Sequence, residues 1–388
     1  MADDEIKRLI TRAGELKAEL LSYAQTKRFD RYREAELRKA AEARDDAKLE
    51  PGGDRWITAM DDFIMTFRFP DGTGVIDRYL AANGKNLRKS DRVLLDGWRD
   101  PVDGIFELKS RDESANSLTL HNLIDEQDYQ AYATLNVSLV PADDGDFVLA
   151  RLAPVAEGAW SVSGTLTPFP REHAKVVAQL ALEWLTTRPK LAFRNPDKRE
   201  RGWELMRQER DSFAGFFGSD QVILEPREAL DRLNDYYQSR ADESERGLKR
   251  EDEPFFRLSD EQLKLMNTIG IVYDETDGMS LLPDFGILEE LFADPSQATP
   301  GCKHTEALLT YLDSESIYPG PLRRLAAAHP DTVDEVYRRV LKKPSFTWEK
   351  QGEPLLRKRK PWYFKEDRLP KTTPTSDYLM ELLAGEDG

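Results

Sequence analysis

Between Trp98 and Pro170 the apolar residues stop recurring every three or four positions and gather into short runs separated by turn clusters. The runs are Ile105–Leu108, Leu118–Leu120, Tyr129–Tyr132, Phe147–Leu152 and Ala159–Val162. Asp112-Glu113-Ser114, Asp125-Glu126, Asp143-Asp144-Gly145 and Glu157-Gly158 stand between or beside them. Five short runs bounded in this way predict strands and tight turns, and hence a small barrel or a bent antiparallel sheet over about 98–170. On either side the apolar period returns to that of a helix with one buried face. The fold class that follows is α+β: a small β-barrel or bent antiparallel sheet embedded in helices, plus a mainly helical C-terminal domain.

The helical flanks set the domain plan. Ile6, Leu9, Ala13, Leu16, Leu20 and Tyr23 keep a three-to-four spacing, and no proline intervenes before Pro51. A helix or helical hairpin from 4 to about 49 follows, packed on the body of the protein, with a coiled-coil seam as the alternative. Ile57, Met60, Ile64 and Phe67 predict a helix over 56–67; Val75, Ile76, Tyr79 and Leu80 predict a short one ending at Asn83-Gly84. After the strands, Val176, Leu180, Leu182 and Leu185 mark one helix and Trp203, Met206, Phe213 and Phe217 another. Val222–Leu224 reads as a strand, and Pro226 opens a helix to about Tyr237. Ser239–Pro254 is densely charged with a single large apolar residue, the composition of a linker. Beyond it, Ile269–Tyr273 and Met279–Leu282 form a hairpin across Asp277-Gly278, helices follow at about 285–293, 304–313, 319–329 and 331–342, residues 344–375 are loop-rich, and Tyr378–Leu383 is a last helix. The division expected is 1–50 N-terminal helical segment, 51–238 α+β domain, 239–254 linker, 255–345 helical domain and 346–388 basic-aromatic tail.

Charge narrows the function. The chain has 388 residues with 56 Lys and Arg against 72 Asp and Glu, a net −16. From Asp91 to Glu157 there are 5 basic and 14 acidic residues. A barrel that grips nucleic acid needs a basic, aromatic-bearing face, so this one is expected not to. No apolar run approaches the ~20 residues that span a bilayer. Cys302 is the one cysteine, which excludes an intramolecular disulfide and a multi-thiolate zinc site. The opening Met-Ala-Asp-Asp-Glu has neither the basic nor the apolar region of a secretory signal. The expectation is a cytoplasmic protein, without cofactor and without membrane association.

Phe67-Arg-Phe-Pro-Asp-Gly-Thr73, Asp77-Arg-Tyr-Leu80, Val102-Asp-Gly-Ile-Phe-Glu-Leu108, Leu120-His-Asn-Leu-Ile-Asp125, Phe147-Val-Leu-Ala-Arg-Leu-Ala-Pro154 and Phe216-Phe-Gly-Ser-Asp220 lie within about 55–240. In these turn and core patterns the chain resembles a group of bacterial proteins of unknown function that often carry a small SEC-C zinc motif. The Cys-x-Cys and terminal Cys-Cys/His ligands of that motif are absent here. The resemblance therefore implies a domain plan and no zinc.

Three constellations could carry chemistry or binding. Asp96, Asp100 or Asp103 followed by Glu107 and Lys109 has the residue types of metal-dependent nucleases, in which carboxylates hold a divalent ion and a lysine positions water. Strand alternation puts Glu107 and Lys109 on one face; the structural alternative is a solvent-facing pair on a strand whose other face holds Phe106 and Leu108. Cys302 and His304 have the types of a thiolate–imidazole pair, but neighbours two apart in a loop seldom meet productively. Arg357, Lys358, Arg359, Lys360, Trp362 and Tyr363 form the one concentrated basic-aromatic patch, able to dock on the protein's own acidic barrel, on a protein partner or on nucleic acid. The leading expectation is a non-catalytic protein-interaction or regulatory module with an unidentified protein partner. The alternatives are a metal-dependent nuclease using Glu107 and Lys109, and a nucleic-acid binder through 357–365.

Overall fold

The computed structural model describes residues 3–43, 48–133, 142–243, 254–365 and 367–385. It divides into two compact units, one made of residues 1–198 with 375–388 and the other of 199–374.

The first unit opens with α1 (Asp3–Ala24) and α2 (Asp30–Glu42), joined through a 3-10 turn at Lys27–Phe29. Of the two expected forms, one helix or a helical hairpin, the chain takes the broken one: the Thr26 side chain turns back onto the Tyr23 carbonyl while Phe29 is drawn wholly inside, stacking on Phe69. Ile10, Ala13, Leu16 and Leu20 are buried within the unit's own core, with Ile6 and Leu9 packed beside them. That core is completed by α3 (Asp54–Met65), α4 (Val75–Asn83) and α5 (Lys89–Gly97). The apolar stripe of α1 is thus taken up inside the unit, and the coiled-coil alternative is set aside.

The strands are β1 (Val102–Asp112), β2 (Ser117–Asn122), β3 (Asp128–Tyr132), β4 (Phe147–Ala156) and β5 (Ala159–Phe169). They close into a barrel in the order β1-β2-β3-β5-β4. The β3–β5 pair is parallel and the others are antiparallel. Alternation sends Val102, Phe106, Leu108, Leu118, Leu120, Val148 and Leu152 into the barrel. The opposite faces of β1 and β4 are covered too. Ile105 and Phe147 pack against α6 (Ala174–Thr187) and the chain's last helix, and Ala153 and Val155 join the core of α1, α3 and α5. Covering both faces explains why β1 is buried almost without interruption from Val102 to Leu108. In α6 the inward face is Val177, Ala178, Ala181 and Leu185, and Val176 is 57% exposed. The larger aliphatics drew the expected stripe one position off the face that the alanines make. A short α7 (Pro189–Ala192) precedes α8 (Pro196–Phe217).

From Arg199 the chain builds the second unit. β6 (Gln221–Leu224) is followed by α9 (Pro226–Glu243), α10 (Asp260–Lys264), β7 (Ile269–Asp274) and β8 (Gly278–Pro283). The three strands form one antiparallel sheet in the order β6-β7-β8. Its helices continue as α11 (Phe285–Ala293), α12 (Lys303–Asp313), α13 (Gly320–Ala328), α14 (Val333–Leu341) and α15 (Trp348–Arg359). The β6–β7 pairing corrects the expected boundary at 239–254. Strands on either side of that segment share one sheet, so the division falls at 198/199; residues 244–253 lie outside the described residues. β7 is buried on both faces. Ile269, Ile271 and Tyr273 meet Phe213, Leu233 and Tyr236 of α8 and α9, and Val272 joins the core of α11 to α15.

Two further corrections concern the C-terminal region. Residues expected to be loop contain α15, whose first amide, that of Trp348, donates to the Asp334 carboxylate at 2.7 Å. A cap supplied from another helix leaves no local signal. The last helix, α16 (Asp377–Ala384), belongs to the first unit, where Leu379 and Leu382 pack with α6.

Gly270 is where the second unit's sheet has least room: a Cβ there would lie 2.7 Å from the Cβ of the fully buried Phe285. Gly270→Ala is expected to destabilise the protein by about 1–3 kcal/mol through overpacking, read as a lower urea midpoint.

Candidate functional site

The first unit carries an ion cluster where its helices meet the barrel. Met60, Asp61, Phe63 and Ile64 form the inward face of α3, so helical periodicity alone drives the Asp61 carboxylate into the interior, where it is 4% exposed. A carboxylate there costs several kcal/mol unless it is paired. Arg151 of β4 reaches its Oδ2 at 2.9 Å, Ser163 of β5 donates to Oδ1 at 2.7 Å, and Lys17 of α1 pairs with Oδ1. The Lys17 ammonium also donates to Ser163 Oγ at 2.5 Å. Arg151 grips Asp103 of β1 with two nitrogens, at 2.6 and 3.2 Å, and Asp62 at 2.8 Å. Gly164, next to Ser163, has φ +73° and leaves 3.4 Å between a notional Cβ and the Asp61 carboxyl.

The charges settle one another. Burial alone would raise the Asp61 carboxyl, but Lys17 and Arg151 hold it below the ordinary carboxylate range. Burial lowers the Lys17 ammonium against the pull of Asp61 and raises Asp62 against the pull of Arg151. A serine bonded to a desolvated lysine has the parts of a nucleophilic dyad. Here the Lys17 proton is held in an ion pair and the Ser163 proton is given to Asp61. The arrangement braces α1, α3, β1, β4 and β5.

Beside this cluster lies a cavity of about 240 Å³. Ala13, Gly14 and Ala18 of α1 leave the space; Trp56 and Met60 of α3 and Trp98 enclose it, and Lys17 and Asp61 supply its charged wall. Trp98 is fixed by its indole N–H, which donates to the Pro154 carbonyl at 3.0 Å. The Lys17 ammonium stands 5.8 Å from the Trp98 ring. Of its three N–H groups, two are used by Asp61 and Ser163.

The residues singled out in the sequence are placed differently. Phe106 and Leu108 point into the barrel, so Glu107 points out, but not to solvent. It is 7% exposed and accepts from Lys109 at 2.8 Å, Arg171 at 3.1 Å and Tyr378 of α16 at 2.6 Å. Burial would raise it; the bonds from Lys109 and Tyr378 keep it below its ordinary value. The solvent-facing Glu107–Lys109 pair is thereby corrected: the carboxylate is the anchor of α16. Asp96 pairs with Arg99 at 2.9 Å, Asp100 with Arg194 and Asp103 with Arg151. Among the described residues, no group of three or more His, Cys, Asp or Glu is placed to hold a metal ion. Cys302 Sγ accepts from the Thr305 amide at the start of α12, and His304 bonds Glu290 at 3.0 Å, so the two have different partners.

The basic patch is largely structural. Arg357 pairs with Glu353 and lies over Phe364. Arg359 bonds Asp313 at 2.7 Å. Lys360, wholly buried, donates to the Ser314 carbonyl at 2.8 Å, and burial brings its ammonium down to about 8. Tyr363 donates to Asp277 at 2.9 Å, and Trp362 packs beside Tyr318. Lys358 is exposed. The partners named for this segment are thus residues of its own helical unit.

No protein-family model, no curated protein and no solved structure matches the chain. The cluster and its cavity were missed in the sequence, although each left a trace: Asp61 interrupts an apolar helix face, and Arg151 interrupts the run Phe147–Leu152.

Asp61→Ala is expected to cost about 3–5 kcal/mol in urea unfolding, since it strands two cations. Lys17→Met, which leaves Asp61 held by Arg151 and Ser163, should cost clearly less.

A second buried carboxylate gives a pH signature. Asp125, fully buried, accepts from Tyr129 at 2.6 Å and from the Gln127 amide at 3.0 Å in the β2–β3 turn. Burial pushes it up to about 6. The folded protein holds this proton more tightly than the unfolded chain does, so the contribution is most favourable below the ordinary carboxylate pKa and is lost as pH rises through about 6. Asp125→Asn should therefore gain on the wild type by about 1–3 kcal/mol between pH 4 and 7, measured as the difference in urea stability at the two pH values.

Proposed function

We propose that the protein is a non-catalytic binding module of a regulatory kind, and that its first unit receives a guest in the cavity beneath α1. The observation that carries this reading is the cavity itself: about 240 Å³, walled mainly by apolar side chains, with one ammonium and one carboxylate on its edge. Ligand sites have this composition, an apolar enclosure with a few fixed polar groups. An apolar cavity of roughly 150 Å³ already admits benzene, so the space suits one or two rings. A cytoplasmic setting and a protein partner that responds to occupancy belong to the same proposal.

The alternatives ask for rearrangement. A metal-dependent nuclease would need Glu107 to give up Lys109, Arg171 and Tyr378. A nucleic-acid grip through 357–365 would have to work without Lys360 and Tyr363, which are already committed inside.

Fluorobenzene, neutral and one ring in size, tests the reading by ¹⁹F NMR titration. Saturable binding is expected. It should weaken at least about tenfold in Ala18→Trp, whose side chain would fill the cavity from an exposed position on α1, while urea stability stays within ~0.5 kcal/mol of wild type, as for most surface changes. No saturable binding, or unaltered affinity in the variant, removes it.

A further inference from the structure

We infer that the guest of this cavity is a small uncharged aromatic alcohol of the phenol class, its ring enclosed by Trp56, Met60 and Trp98 and its hydroxyl donating to Ser161. The inference rests on the binding reading above and adds the chemistry of the ligand.

The charge of the site asks for a neutral guest. Lys17 and Asp61 are the charged residues of the wall, one of each sign, and they are paired with each other. Behind the wall Arg151 bonds Asp61, Asp62 and Asp103. The whole cluster thus sets two cations against three carboxylates. An anion would meet that excess of negative charge, and a cation would meet the ammonium that Asp61 already holds. Either would also have to shed its water to enter an apolar enclosure.

The polar atom of the guest follows from Ser161. This serine of β5 lines the cavity and is 3% exposed. Its hydroxyl donates to the Ala153 carbonyl at 3.3 Å. Among the described residues no donor reaches its oxygen. Ser163, on the same face of the strand because Val162 between them points into the barrel, is differently placed: it accepts from Lys17 and donates to Asp61. Ser161 is therefore a buried hydroxyl whose acceptor side is empty, a state that burial penalises. A guest that donates completes it. A guest that only accepts would have to draw the serine proton away from the Ala153 carbonyl.

The body of the guest follows from the walls. Two indoles and a thioether side chain favour a flat, polarizable ring, and the volume limits it to one or two fused rings. A phenol puts a donor on the edge of such a ring and keeps its proton at neutral pH, since its pKa is about 10.

Three probes separate the terms: 4-fluorophenol, 4-fluoroanisole and fluorobenzene, each titrated by ¹⁹F NMR at pH 7 into the full-length protein. The first can donate, the second keeps the oxygen without the proton, and the third has neither; the two controls bracket the phenol in size. The expected result is that 4-fluorophenol binds at least about fivefold more tightly than either control, the worth of one hydrogen bond. Ser161→Ala, which removes one oxygen from the wall, should abolish that advantage and leave fluorobenzene binding in place. Equal affinity for all three probes in the wild type, or 4-fluoroanisole matching 4-fluorophenol, overturns the donor inference and leaves the binding reading standing. Binding by none of them overturns the binding reading, and the inference with it. An advantage that survives in a folded Ser161→Ala protein overturns the assignment to Ser161. The comparison of phenol with anisole in the wild type decides the matter even if Ser161→Ala fails to fold.

Discussion

Asp61 is the constraint around which the first unit is organised. Its helix carries it inward because the residues beside it are apolar, and once there it must be neutralised from three directions. α1 supplies Lys17, β4 supplies Arg151 and β5 supplies Ser163. Each of these groups is useless to Asp61 unless its element lies in one position and one register, so the carboxylate fixes how the helices sit on the barrel. Hydrophobic burial alone is indifferent to small slides and rotations. A buried ion cluster is weak evidence of net stability; what it adds here is geometry, since a shift of α1 by one residue would exchange Lys17 for Leu16 or Ala18 and leave a bare charge inside.

A second carboxylate does comparable work farther along β1, at Glu107. Glu107 leaves β1 on its outer face and binds Tyr378 and Arg171, while Leu379 and Leu382 fill the surface between β1 and α6. The chain thus leaves the first unit at residue 198 and returns to it at 375. Residues 199–374 are in effect an insertion, and the first unit is complete only when its last helix has come back. Burial of both strand faces requires this return: Ile105 and Phe147 are large apolar residues that a bare barrel would show to water.

What the sequence disclosed and what it hid divide by range. Strand runs, the 269–283 hairpin and most helices were legible because they depend on periods and turn residues within a dozen positions. The closing pair β3–β5, the addition of β6 to a sheet more than forty residues downstream, and the cap that Asp334 gives α15 all depend on distant partners. A charged segment such as 239–254 looks like a boundary by composition, although the sheet spans it. The site was hidden for a related reason. Glu107 and Lys109 resembled a metal motif because the spacing was local, while Lys17, Asp61, Arg151 and Ser163 are spread over 146 residues and come together only once the barrel has closed. The available clue was chemical: a charged residue in the middle of an apolar run is either an error in the reading or a member of a buried cluster.

The same cluster accounts for the cavity. Leu or Ile at 13, 14 or 18 would fill the space beneath α1, but the ammonium of Lys17 has to pass along that wall to reach Asp61, and small neighbours give its stem room. A helix that must deliver a charge to the interior packs less tightly around the delivery point than one that buries only methyl groups. The void is then a by-product of the ion cluster. Filling the void with protein side chains would strengthen packing by the measure of lost cavities, and yet it would seal off the Lys17 ammonium. The small residues of α1 therefore follow from the route that Lys17 takes to Asp61 and not from packing alone.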